Sequence, residues 1–276
     1  MYLCRFSDMD DSQPRLGIAN PGPRTVRPIE GKSSTSEALA SGETWNSLRD
    51  SASDEEFDLD NVSLQTPVQQ PVNLIGVGLN YAGHAKEGGH EVPDEPVFFA
   101  KSPSSIVGPD SNIVKNQLVS NLHYEGELAV IVGERIQAAS PEQVITSVFG
   151  FTPANDVTAR DVQHSDLDAG KPWYRSKSMD TFTPIGPWIA PRSDGFEPAE
   201  LHLKTRLNGD AIQSATLSDQ IFPVDEAISS ISQFITLHPG DVVLTGTPAG
   251  IGEMNPGDDI EVTLEGIGTL RNTVTS

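Results

Sequence analysis

The chain has 276 residues, 36% of them apolar, and a formal net charge of −21 from 39 acids against 18 bases. That acidity excludes nucleic acid and anionic membrane as partners, because both need a basic footprint. A single cysteine, Cys4, excludes an internal disulfide, and no apolar run approaches the ~20 residues needed to span a bilayer.

The opening "MYLCRFSDMDD" turns acidic at once and lacks an apolar leader region, so a soluble cytoplasmic protein is expected. Only seven of the bases are lysines, which points to a surface adapted to high salt, where counter-ions screen the self-repulsion. If surface lysines are scarce, those that remain gain interest: Lys101, Lys171 and Lys177 stand out.

In chain order, "MYLCRFSD" and "RLGIA" are short strand candidates. Ser34 followed by Glu37 resembles a capping box for a short helix. "DSASDEEFDLD" reads as an acidic loop or weak helix end, and "QTPVQQP" as a connector. Residues 1–70 are therefore expected to form a small N-terminal β-rich domain or arm without visible chemistry, and residues 71–276 a second, larger domain. That second part is strand-rich: "NLIGVGLN", "PVFFA", "ELAVIVG", "VFGFTPAN", "GPWIA", "LHLKTRL" and "DVVLTG" are runs bounded by Gly, Pro, Asn or Asp. Asn208-Gly209 is a type I′ hairpin signal. Two helices are expected, one beginning at Ser140-Pro141 and one after Pro223, where Val224, Ala227, Ile228, Ile231 and Ile235 fall at helical spacing. Many strands with few helices predict an α+β fold with mixed sheets.

Three stretches can carry chemistry. In "LHYEGELAV", strand period 2 places Glu125 and Glu127 on one face, where two like charges at ~4 Å with an effective dielectric of ~20 repel by roughly 4 kcal/mol. With Asp156, at a strand end in "ANDVTARDVQ", the pair would suit Mg²⁺ or Mn²⁺. The alternatives are a solvated acidic pair and a turn or helix cap at Asn155-Asp156. In "GLNYAGHAKEGG", His84 and Glu87 share a face if the segment is helical, so the carboxylate would fix the imidazole tautomer, and Gly83, Gly88 and Gly89 would let the segment move as a lid. The alternative is a solvated pair on a loop. In "PGDVVLTGTPAGIG", the turn after a strand offers backbone N–H groups and the Thr247 hydroxyl to a substrate carboxylate, or is a plain connection. It lacks the Gly-Lys-Ser/Thr ending of a phosphate loop. The histidines at 84, 90, 123, 164, 202 and 238 are scattered, and with one cysteine they predict no structural zinc site.

Together these stretches resemble the fumarylacetoacetate hydrolase superfamily. The matching pieces are "GVGLNYAGHAKE", "FFAKSPSSIVGP", "HYEGELAVIVG", "NDVTARDVQ", "KSMDTFTPIGPWI", "LNG", "PGDVVLTGTPAGIG" and "GIGTLRNTV", in the family's order over residues 70–276. The resemblance implies a β-rich mixed-sheet catalytic domain of that type and a variable N-terminal part. It implies metal ligands Glu125, Glu127 and Asp156 for Mg²⁺, with Mn²⁺ or Ca²⁺ as alternatives. His84, Glu87 and Lys177 take the family's catalytic positions. Arg160, Gln163, Thr247 and Lys101 take substrate-binding positions.

The activity implied is hydrolysis of a C–C bond in a 2-oxo or 1,3-diketo acid through a metal-bound enolate, with His84 activating water and Lys177 adding positive charge. Isomerisation or tautomerisation of hydroxymuconate-type dienes and decarboxylation of oxaloacetate are alternatives. A non-catalytic, metal-stabilised binding protein is a further one. The implied assembly is a homodimer.

Overall fold

Two fully buried strands, Gly126–Val132 and Val148–Asn155, pair antiparallel and form the spine of the molecule. The computed structural model describes residues 1–8, 13–193 and 196–276. Around the spine runs a six-stranded mixed sheet in the order Ala190–Pro191, Val148–Asn155, Gly126–Val132, Val242–Leu244, Leu74–Gly78 and Val97–Ala100. Val242–Leu244 and Leu74–Gly78 are its parallel pair.

Each face of this sheet is covered, which is why its central strands are buried along their whole length. Leu128, Val130 and Val132 face a core that includes Leu203 and Val262 of a second sheet and the buried side of the helix Val224–Ser232. Ala129 and Ile131, at the alternate positions, face Leu3, Leu16 and Ile18 of the N-terminal segment. That segment is a five-stranded antiparallel sheet, Tyr2–Asp8, Arg15–Asn20, Thr25–Pro28, Phe57–Asp58 and Val62–Gln65, with the short helices Thr35–Ala40 and Trp45–Asp50. It shares its core with the large sheet, and Leu3 and Ile189 exchange both backbone hydrogen bonds at 3.0 and 2.7 Å.

The local signals act as their chemistry dictates. Ser34 accepts from Glu37 N–H at 3.3 Å, so one half of the capping pair forms. The helix Pro141–Ser147 starts with Ser140 N–H donating to Gln143 Oε1 at 2.9 Å. Asn208 and Gly209 have φ of 52° and 88°, the left-handed values a type I′ hairpin needs, and join His202–Leu207 to Asp210–Thr216. Two corrections concern strand limits. Glu125 lies between the strands Leu122–Tyr124 and Gly126–Val132, not inside one, and of "GPWIA" only Ala190 lies in a strand, the two-residue Ala190–Pro191.

Candidate active site

Register and period together assemble the acidic centre. Gly126 pairs with Asn155 and Glu127 with Ala154, so Glu125 falls opposite Asp156, whose N–H donates to the Glu125 carbonyl at 2.8 Å. Two-residue spacing then brings Glu127 to the same side. Each of the three offers a carboxylate oxygen, and these lie within 4.8 Å of one another. All three residues are buried.

Three cations offset this charge, unequally. Lys177 Nζ donates to Glu125 Oε2 and Asp156 Oδ2, both at 2.6 Å. Arg160 Nη2 pairs with Glu125 Oε1, and Lys101 Nζ with Asp156 Oδ1. Glu127 has no ion-pair partner among the described residues, and accepts one backbone bond, from Gly246 N–H at 2.7 Å.

The ionisation of each group follows. Burial pushes the Glu125 carboxyl up, but Lys177 and Arg160 outweigh it and hold it well below the usual carboxylate range. Burial and the charges of Asp156 and Glu125 push Glu127 well above that range. Burial lowers Lys177, yet Asp156 and Glu125 outweigh it and keep the ammonium above its ordinary value. A buried carboxylate beside two others, with one hydrogen bond and no cation, is a costly arrangement that a bound cation would relieve. The donor set is all hard carboxylate oxygen, so the residues fit Mg²⁺, Mn²⁺ or Ca²⁺.

The acids open onto a cavity of about 320 Å³, also lined by His84, Glu87, His123, Arg160, Gln163, Lys177 and Thr247. Its aromatic wall is Phe99 and Trp173, edge to face at 5.4 Å. Gly76 and Gly78 make room for it: a Cβ at Gly76 would lie 2.4 Å from Phe99, and one at Gly78 2.6 Å from Trp173.

The expected catalytic and binding residues occupy different roles in this geometry. His84 and Glu87 share the helix Ala82–Glu87, with Nδ1 and Oε2 at 3.7 Å, outside hydrogen-bond range. Glu87 instead accepts from Gly250 N–H at 3.2 and 3.3 Å, and His84 Nδ1 has no partner among the described residues. Burial, with Lys177 and Arg160 nearby, lowers the His84 pKa against the pull of Glu125. Arg160 opens the helix Arg160–Asp168 and donates to Gln163 Oε1 one turn on.

Two of the expected substrate-binding residues are engaged by the protein itself. Lys101 does not line the cavity: its fully buried side chain sits behind Asp156 and also donates to the Phe182 carbonyl at 3.1 Å. Thr247 lines the cavity, and its hydroxyl donates to the Gly126 carbonyl at 2.9 Å, which fixes the turn. Gln213, absent from the sequence reading, holds that turn by donating to Thr247 Oγ1 and Pro248 O, both at 2.9 Å. Asn121 and His123 also line the cavity unannounced, although the period that joins Glu125 to Glu127 extends back to them. Asp166 accepts from Arg175 Nε and Nη2 at 2.7 and 2.6 Å, tying the helix that carries Arg160 to the turn that carries Lys177.

The family model described as fumarylacetoacetate (FAA) hydrolase, C-terminal, matches residues 73–275. The chain belongs to the fumarylacetoacetate hydrolase family. It is 40% identical over 230 residues to oxaloacetate tautomerase YisK of Bacillus subtilis, covering 79% of this chain and 75% of that protein. The crystal structure of 2-hydroxyhepta-2,4-diene-1,7-dioate isomerase from Mycobacterium marinum superposes with a TM-score of 0.81 at 35% identity, covering 100% of this chain and 98% of that one. Fumarylacetoacetate hydrolase from the psychrophilic Exiguobacterium antarcticum superposes with a TM-score of 0.86 at 36% identity, covering 100% and 99%. The α+β fold of mixed sheets is therefore that of the family, and the chain is an enzyme, which sets aside the non-catalytic reading. No helix among the described residues is long and apolar enough to cross a membrane.

Proposed function

We propose that the enzyme interconverts keto and enol forms of a small 2-oxo acid, with a divalent cation, Mg²⁺ in the first instance, held by Glu125, Glu127 and Asp156. One observation carries the choice of proton transfer over hydrolysis. His84 lines the cavity with its Nδ1 buried and without a hydrogen-bond partner among the described residues, while the carboxylate that would orient it toward a water is engaged by Gly250 N–H. Proton transfer needs a base facing the substrate carbon; hydrolysis needs in addition a positioned water.

When bound, the cation supplies Lewis acidity that stabilises negative charge on the 2-oxo oxygen. The protein's own groups do the rest. His84, kept neutral by burial, takes the proton from the carbon next to the 2-oxo carbonyl. The C–H electron pair moves into the new C=C bond, and the carbonyl pair moves onto oxygen. The ammonium of Lys177 stabilises that charge across the cavity, and the proton returns to oxygen to give the enol. Arg160 and Gln163, linked to each other, orient the remainder of the substrate. Phe99 and Trp173 exclude water from one side.

The relatives described as an oxaloacetate tautomerase and a diene-dioate isomerase support this reading. C–C hydrolysis is the second reading, favoured by the placement of His84 and Glu87 on one helical turn. The test follows oxaloacetate enol by its ultraviolet absorbance with Mg²⁺ and with EDTA, beside acetylpyruvate cleavage. Metal-dependent acceleration of oxaloacetate interconversion supports the proposal. Cleavage of acetylpyruvate without that acceleration replaces it with the hydrolase.

A further inference from the structure

The strand Gly126–Val132 loses one neighbour just where the acids begin. On that side Val242–Leu244 pairs only with Ala129–Ile131, so it stops short of Gly126. Glu125 turns its N–H to Asn155 Oδ1 at 2.9 Å and its carbonyl to Asp156 N–H at 2.8 Å. Backbone groups alternate in direction along an extended chain, so Gly126 turns its own to the opposite side. Buried backbone groups have to be paired, and here two side chains stand in for the missing strand. Gly126 N–H donates to Gln213 Oε1 at 3.1 Å, and the Thr247 hydroxyl donates to the Gly126 carbonyl at 2.9 Å. Only glycine fits between them: a Cβ at residue 126 would lie 2.1 Å from Thr205 Oγ1.

A bulge brings Gln213 to this place. In the hairpin of His202–Leu207 and Asp210–Thr216, Thr205 pairs with Gln213 and Arg206 with Ala211, which leaves Ile212 as the extra residue. Bulges re-aim the side chains beside them. Gln213 is 2% exposed and is the one buried position of its strand. The far end of its amide grips the turn after Val242–Leu244, with Nε2 donating to Thr247 Oγ1 and to the Pro248 carbonyl, both at 2.9 Å. In that turn Gly246 N–H donates to Glu127 Oε2 at 2.7 Å. One side chain thus holds the backbone between the two glutamates and the turn that orients the second of them.

We propose that Gln213 is a positioning residue for the metal centre, its amide keeping Glu125 and Glu127 in the mutual orientation that one divalent cation requires. The proposal rests on the metal-binding reading above. Gln213 does not border the cavity and acts only through Gly126 and the turn.

The experiment is a calorimetric titration of metal-free protein with Mg²⁺, with melting in EDTA as the check on folding. Gln213→Met keeps the length and loses the amide, whereas Gln213→Asn keeps the amide and loses the reach. Each should weaken Mg²⁺ binding by about 10–100-fold, the usual worth of a group that orients metal ligands. Oxaloacetate interconversion should fall at limiting Mg²⁺ and return to within about three-fold of wild type at saturating Mg²⁺, a split that general loss of structure would not produce. The control is Thr205→Val, beside Gln213 on the facing strand, whose Oγ1 has no hydrogen-bond partner among the described residues. It should bind Mg²⁺ within about two-fold of wild type, because no hydrogen bond is lost. A folded Gln213→Met protein that binds Mg²⁺ as wild type does overturns the proposal, and if that variant does not fold, Gln213→Asn decides in the same way. Loss of folding in both Gln213 variants beside an intact Thr205→Val makes Gln213 a residue of the fold alone and overturns it too, as does an equal loss of affinity in Thr205→Val. Wild-type protein that binds no Mg²⁺ overturns instead the metal-binding reading beneath it.

Discussion

His84 Nδ1 and Glu87 Oε2 lie 3.7 Å apart on one turn of a short helix, and the oxygens of Glu87 are directed to Gly250 N–H. The two residues therefore separate by role. His84→Ala should lower the rate of keto–enol interconversion by about 10²–10⁴ with metal affinity retained, the usual worth of a positioned general base. Glu87→Gln should cost less than about ten-fold, since its main contact is a backbone N–H. Steady-state kinetics of both variants checks this. A His84→Ala enzyme within two-fold of wild type removes His84 from the chemistry.

The pH profile follows from the same imidazole. Burial lowers the His84 pKa, so the neutral base persists to more acidic pH than an ordinary histidine allows. Activity is lost only as the pH falls through that lowered value. The acid limb of kcat/KM should therefore lie below about 6.5, the ordinary histidine value. A limb above it contradicts the assignment.

Lys177 and Lys101 look equivalent in sequence and differ in place. Lys177 borders the cavity and bridges Glu125 and Asp156, whereas Lys101 lies behind Asp156. Lys177→Met should reduce turnover and also destabilise the fold, because breaking a buried ion pair costs about 3–5 kcal/mol. Lys101→Met should lower stability with KM changed less than about three-fold. A large KM effect from Lys101 would return it to the substrate site.

The net charge of −21 carries its own prediction. Raising salt from 0.1 M to 1 M shortens the screening length from about 10 Å to about 3 Å and weakens surface repulsion. The melting temperature should rise over that range by thermal denaturation. A flat or falling trend removes the reading of a salt-adapted surface.

How much was legible in sequence depended on the range of the interaction. Glu125 and Glu127 were readable because strand period is local, and Asn208-Gly209 because a turn's φ values are chosen by two residues. The pairing of Glu125 with Asp156 required a register between strands, which spacing does not contain. The place of Lys101 was hidden for the same reason: whether a lysine stands before or behind a carboxylate is a tertiary fact. The hold on the Thr247 hydroxyl was not legible because the carbonyl it donates to is 121 positions away in sequence. The sharing of one core between the N-terminal sheet and the large sheet was hidden because apolar faces do not announce their partners. Asn121 and His123 were within reach and were missed by stopping the two-residue count at the acids.

The central claim is that the three acids are built to hold a divalent cation, and Glu127→Gln tests it most directly. In metal-free protein burial and its acidic neighbours raise the Glu127 pKa above its ordinary 4.5. Between those two values the folded state binds more protons than the unfolded one, so stability should fall as pH rises through the window. Mg²⁺ should remove that loss by pairing with the ionised carboxylate. The measurement is the melting temperature at pH 7.5 with EDTA and with Mg²⁺, for both proteins. Wild type should gain several degrees from Mg²⁺, at about 2–4 °C per kcal/mol for a chain near this size. Glu127→Gln should be the more stable of the two in EDTA and gain little from Mg²⁺. Equal melting of wild type with and without Mg²⁺, together with a destabilised Glu127→Gln protein in EDTA, would contradict the account.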